Sequence, residues 1–190
     1  MKLHLFYVRT GHSRSQVPPP ARTALLRAGW QRVCPNRPFP VAGFSRTPQG
    51  RPHVPGEAFN CSLAHADGLS VLACAPCGRV GVDAASAPDA ALAAQLDASF
   101  FTPAERQALA QRRYSPLQLW TRKEAALKAA GTGLLLAPAH AGVTDATLLL
   151  QGHKYWLHST TFSGGYELAL ATDWAFAPPE AAEWTEVFWK

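Results

Sequence analysis

The opening stretch, Met1 to Arg9, reads with period two and predicts a first strand. Pro18-Pro19-Pro20 then precedes Ala21 to Val33, where Leu25, Leu26 and Trp30 recur near helical spacing, and a helix is expected to open there. Residues 34–58 hold many prolines and glycines and read as an extended, loop-rich segment. Two short apolar runs follow, Leu69 to Ala73 and Arg79 to Asp83, and are expected to pair as a hairpin. From Ala87 to Ala130 the pattern turns helical, interrupted near Phe101-Thr102-Pro103 and Ser115-Pro116. Thr102-Pro103-Ala104-Glu105 has the form of an N-cap, a proline at the first helical position and a glutamate that closes a capping box. Ser115-Pro116 starts the next helix by the same logic, and Gly131-Thr132-Gly133 stops it. Lys154 to Phe162 and Tyr166 to Thr172 flank Ser163-Gly164-Gly165 and predict a second hairpin. Strands and a helix, a hairpin, helices, then strands again make an α+β plan without a fixed repeat.

Composition sharpens this only in part. The 190 residues suffice for a substantial core, and 47% hydrophobic against 16% charged residues is globular composition. No apolar run is long enough to cross a bilayer, and the N-terminal stretch lacks an adjacent small-residue cleavage site, so neither a membrane span nor a secretory signal is expected. The net charge of +5 suits a polyanionic or acidic partner, or no partner at all. Nucleic acid is not expected to be that partner: there is no zinc-finger spacing, no aromatic RNA-binding signature and no densely basic helix. Cys74-Ala75-Pro76-Cys77 has redox or zinc spacing, but no second ligand pair follows it, and a turn between strands is the preferred reading. Arg22, Arg27 and Arg32 on the first helix read as a solvated face.

Two stretches carry candidate chemistry. In Trp120-Thr121-Arg122-Lys123-Glu124-Ala125-Ala126-Leu127-Lys128, residues 120, 124 and 128 share one helical face. Taken alone, Glu124 and Lys128 could be no more than an i,i+4 pair on a solvated surface. Val80-Gly81-Val82-Asp83 is an apolar strand ending in a carboxylate, with a glycine that permits close backbone approach. Such an aspartate can hold a hard cation beside a phosphate, or simply cap a turn.

Together the two stretches resemble the signatures of the Sfp-type 4′-phosphopantetheinyl transferases, an apolar-Gly-apolar-Asp strand end and a Trp-x-x-Lys-Glu-x-x-x-Lys helix some forty residues on. Phe100-Phe101-Thr102-Pro103-Ala104-Glu105 is similar to the family's intervening Phe-x-x-x-Glu segment. Gly50-Arg51-Pro52 ahead of Phe59-Asn60 is similar to its Gly-Lys-Pro and Phe-Asn-x-Ser-His stretches, and Gly131-Thr132-Gly133-Leu134 to its Gly-x-Gly-Leu. The resemblance covers about residues 43–135.

The resemblance implies two similar α/β halves related by a pseudo-twofold, residues 1–82 and 83–190, with one active site between them. It implies Mg²⁺ on Asp83 and Glu124, and coenzyme A as substrate, with its phosphates gripped by Arg51, His65, Lys128 and Ser62. Glu124, or a metal-bound water oriented by Glu105, is the candidate base, and Lys128 neutralises phosphate charge. The partner would be an apo acyl or peptidyl carrier protein, and the enzyme a cytoplasmic monomer. Two departures matter. The family's second acid, two residues after the strand-end aspartate, is Ala85 here, and Ala64 stands where serine normally precedes His65. A catalytically weak or inactive member that binds coenzyme A or a carrier is therefore the alternative expectation.

Overall fold

The computed structural model describes residues 2–40, 43–96, 98–133, 141–162, 164–177 and 184–189. The chain opens with strand β1 (His4–Arg9) and helix α1 (Pro19–Val33). Two-residue strands β2 (Ser45–Arg46) and β3 (Pro52–His53) form a small ribbon within the proline-rich segment. Strands β4 (Asn60–Ala66), β5 (Leu69–Ala75) and β6 (Val80–Ala85) come next. Helices α2 (Ala87–Ala94), α3 (Pro103–Ala110) and α4 (Pro116–Ala130) follow, and strands β7 (Thr147–Leu150), β8 (His153–Phe162), β9 (Tyr166–Thr172) and β10 (Trp184–Glu186) complete the order.

Two four-stranded sheets result, ordered β10-β1-β5-β4 and β6-β9-β8-β7. Their buried residues define four layers. Phe6, Val8, Leu72 and Cys74 pack one face of the first sheet on Leu25, Leu26 and Trp30 of α1. Its other face, with Leu5, Ala64, Leu69 and Val71, meets Val80, Val82, Leu168 and Leu170 of the second sheet. Ala169, Ala171, Tyr155 and Leu157 cover Leu119, Ala125, Ala126 and Leu127 of α4 on the far side. Period-two alternation explains this: successive residues of β5 face α1 and the second sheet in turn, so all seven are buried. Each unit runs strand, helix, hairpin, and the hairpin's second strand pairs back on the first strand, β5 on β1 and β9 on β6. Among the described residues no helix is long and apolar enough to cross a membrane.

One expectation fails. The runs at 69–73 and 79–83 do not pair as a hairpin: β5 pairs with β1 and β4, whereas β6 pairs with β9 in the other sheet. The hairpin partner of β5 is β4, which is less apolar, through a turn at Asp67-Gly68 where Gly68 has φ of +78°. That Asp-Gly is the stronger hairpin signal, because this turn needs a left-handed residue. Cys74-Ala75-Pro76-Cys77 therefore lies on the crossing between sheets; Cys74 is buried and Cys77 exposed, and neither is in a disulfide. Val80 pairs with Thr172, and β10 joins β1 in parallel. The helix starts are as expected, with capping boxes at Thr102/Glu105 and Ser115/Gln118, and Gly131 ends α4 in the left-handed conformation. Ser163 of the second hairpin turn and Leu134 of the Gly-x-Gly-Leu stretch lie outside the described residues.

The tightest contact in the fold is between α4 and β6. A Cβ built on Gly81 would lie 2.0 Å from the carbonyl oxygen of Ala125 and 2.6 Å from the amide nitrogen of Ala129. Both obstacles are helix backbone, so no side-chain rotation relieves them. Gly81→Ala is therefore expected to destabilise the protein by about 3 kcal/mol, the upper end for overpacking, and to lower Tm by roughly 6–12 °C in a thermal melt.

Candidate functional site

Gly81, Asp83 and Ala85 alternate along the face of β6 that carries α4. Gly81 meets the backbone at Ala125, and Ala85 packs with Leu117, Ala93, Leu96 and Trp120. Between them the Asp83 carboxylate is only 1% exposed. Lys128, near the C-terminal end of α4, turns its ammonium into this gap. Its Nζ donates to Asp83 Oδ1 at 2.7 Å and to the Val82 carbonyl at 3.1 Å. Asp83 Oδ2 is buried and has no hydrogen-bond partner among the described residues. Glu124 is half-buried one turn earlier on α4, on the face it shares with Trp120 and Lys128, and the Trp120 indole stacks on Phe100 at 5.5 Å.

Lys128 also lines a cleft of about 410 Å³ at the seam between the two sheets. Arg51, Ser62 and His65 line it too, so the four side chains expected to meet phosphate are brought together. Each is held. Arg51 donates to the Lys128 carbonyl at the end of α4, and burial lowers its pKa. The Ser62 hydroxyl accepts from the Val82 amide at 3.0 Å, linking β4 to β6. His65 Nδ1 lies 2.7 Å from the Ser70 hydroxyl across the β4–β5 pair. Gly50, Pro52, Gly131 and Gly133 also line it.

Three arginines that sequence reasoning left aside also line the cleft: Arg22, Arg46 and Arg79. Arg22 is the clearest revision. Its position on the first helix suggested a solvated face, yet its Nε is buried and lacks a partner among the described residues. A helical projection relative to a partly apolar face could have raised the question, but only the packing of α1 against β5 answers it. Arg79 is oriented by the Tyr155 hydroxyl, to which its guanidinium donates at 2.9 Å, and by Asp173, whose carboxylate accepts from its backbone amide. Among the described residues no carboxylate lines the cleft. Five fixed cations and a histidine around one concavity make an anion site with strong electrostatic focusing.

Glu105 is elsewhere. It is fully buried; its Oε2 accepts from the Thr102 amide and lies 2.8 Å from the Lys123 ammonium, and its Oε1 accepts from the Val143 amide at 2.9 Å. A carboxylate so engaged is not available to orient a water at the cleft, and that expected role is withdrawn.

Among the described residues no group of three or more His, Cys, Asp and Glu side chains is placed to hold a metal ion. Mg²⁺ does not need one, since it keeps several waters and commonly takes one or two carboxylates plus substrate phosphate. The unpartnered Asp83 Oδ2 fits that demand. Ala85 cannot add a third donor, and its side chain packs with Leu117, Leu96 and Trp120.

Residues 79–171 match the family model of the 4′-phosphopantetheinyl transferase superfamily. The matched segment begins at the cleft arginine Arg79 and runs from β6 through nearly all of β9, so it contains Asp83, Glu124 and Lys128. No curated protein matches the chain.

The cysteines behave as packing rather than chemistry. Cys61 and Cys74 face each other across β4 and β5, and burial pushes the Cys61 thiol up to about 12 and raises that of Cys74 as well. Both therefore stay protonated at neutral pH. With a disulfide reagent at pH 8 the exposed Cys77 should react fastest in the native protein and the half-buried Cys34 more slowly, while Cys61 and Cys74 react only after denaturant is added.

Proposed function

We propose that this protein is an Sfp-type 4′-phosphopantetheinyl transferase, which moves the phosphopantetheine arm of coenzyme A onto a serine of an apo acyl or peptidyl carrier protein. The observation that carries the reading is the cationic cleft, free of carboxylates, whose Lys128 reaches the buried Asp83. Coenzyme A has a pyrophosphate and a separate ribose phosphate, and several fixed guanidinium groups suit such a spread of negative charge. Arg22, Arg46, Arg51, His65 and Arg79 hold the nucleotide phosphates, and the Ser62 hydroxyl, an acceptor from Val82, still has its hydrogen to offer.

Asp83 and Glu124 would hold Mg²⁺, which when bound neutralises charge on the pyrophosphate. Lys128, already beside Asp83, places its ammonium where charge develops on the transferring phosphoryl group. Glu124 takes the proton from the carrier serine as its oxygen bonds to the phosphorus bearing the pantetheine arm. The bond from that phosphorus to the bridging oxygen breaks, and adenosine 3′,5′-bisphosphate leaves with the electron pair. The repeated strand–helix–hairpin order supports two halves related by a pseudo-twofold, with the division near residue 79.

The apolar packing of Ala85 favours a second reading, in which the protein binds coenzyme A without turnover. Incubation with coenzyme A, Mg²⁺ and a panel of apo-carriers, read by intact mass, separates the two. A phosphopantetheine mass gain is expected; tight cofactor binding with no gain on any carrier selects the second reading.

Asp83→Ala, Glu124→Ala and Lys128→Ala should each lower kcat by about 10²–10³-fold with the fold intact, as loss of a preorganised charge does. Wild-type rates from the first two would remove the metal assignment. Arg22→Ala and Arg79→Ala should instead raise KM for coenzyme A by roughly 10–100-fold, each losing a charge-assisted hydrogen bond of about 1.5–3 kcal/mol, with kcat little changed.

A further inference from the structure

The back of α4 holds a feature the transfer chemistry does not use. Arg122 and Lys123 are consecutive, both buried, and both reach the same stretch of chain. Arg122 donates to the Val143 carbonyl at 2.6 Å, to the Asp145 carbonyl and to the Ser159 hydroxyl at 2.8 Å. Lys123 donates to the Ala141 carbonyl at 2.7 Å and pairs with Glu105 at 2.8 Å, with both side chains 0% exposed. Glu105 completes the ring by accepting from the Val143 and Thr102 amides. One helix is thus tethered to the start of another and to residues 141–145 by directional bonds.

The apolar contacts of α4 are less discriminating. Its inner face is dominated by alanine and leucine, with Ala125 and Ala129 lying on Gly81. Apolar burial is non-directional, and a small-residue face offers few knobs to fix rotation or sliding. A buried ion pair is also a poor source of net stability, because desolvation offsets most of its attraction. Glu124 follows Lys123 by one residue, so its direction is set about 100° round the axis from wherever Lys123 is anchored.

We propose that Glu105 and Lys123 form a positioning pair that fixes the rotation and axial register of α4, and thereby aims Glu124 and Lys128 at Asp83. They are positioning residues and touch no substrate. The inference rests on the transferase reading for its consequence in catalysis, but not for its mechanical content.

The test is the double variant Glu105→Gln/Lys123→Met, which removes both charges while keeping an acceptor for Val143. Hydrogen exchange across residues 120–130 should accelerate at least tenfold, with α1 as the unchanged internal reference. In transfer assays kcat should fall tenfold or more and the Mg²⁺ midpoint should rise about tenfold, while KM for coenzyme A at saturating Mg²⁺ stays within twofold. A folded double variant with wild-type exchange over 120–130 and an unshifted Mg²⁺ midpoint overturns the proposal. Should that variant fail to fold, Glu105→Gln alone is read in the same two assays and by the same criteria. A wild-type protein that neither binds coenzyme A nor modifies a carrier sinks the transferase reading instead, and the exchange arm still decides the pair.

Discussion

The approach of α4 to β6 at Gly81 is the constraint on which the rest depends. Helix backbone meets strand backbone where any Cβ would intrude to 2.0 Å of a carbonyl oxygen. Only at that separation can Lys128 reach across to both the Val82 carbonyl and Asp83. The same contact seals one side of β6, while Val80, Val82 and Ala84 seal the other against the first sheet. Asp83 is therefore buried by necessity, and a buried carboxylate requires a cation. Lys128 satisfies one of its oxygens and leaves the second unpartnered.

The cleft beside this pair concentrates positive charge that folding alone would avoid. Two of its cations are held by neutral groups, Arg51 by a helix-terminal carbonyl and Arg79 by a tyrosine hydroxyl, whereas Lys128 pairs with Asp83. Without acids among the lining residues the repulsion is left for a ligand to relieve, which is the electrostatic signature of an anion site. Strand β4 and the end of α4 both line it, and Ser62 links β4 to β6 through the Val82 amide. Binding there is thus coupled to the geometry of β6, and through it to Asp83.

Helix α4 divides its labour by face. Lys128 reaches Asp83 and lines the cleft, the alanine and leucine face supplies burial, and Arg122 and Lys123 supply direction. At the end of β6, Ala85 packs with Leu117, Leu96 and Trp120. A carboxylate at that position would be set against Leu117 and Trp120, which an alanine suits better.

Local signals were enough for local structure. The strand at His4–Arg9, the proline-started helix, both capping boxes and the β8–β9 hairpin were legible because caps, turns and periodicity act over a few residues. Asp83, Glu124 and Lys128 could be singled out from spacing and resemblance, but their meeting could not. Pairing is long-range, so two adjacent apolar runs looked like a hairpin, although β6 belongs to a strand almost ninety residues on, at Tyr166–Thr172. The fate of Glu105 and of Arg22 was equally out of reach. A glutamate after a signature phenylalanine and an arginine on an amphipathic helix have the same local appearance whether they face solvent, a cleft or a buried lysine. By itself the sequence determined the elements, their ends and the residue types available for phosphate chemistry. Only the tertiary structure decided which cations converge and which carboxylate is spent on structure, because burial and charge pairing are properties of chain segments brought together from far apart.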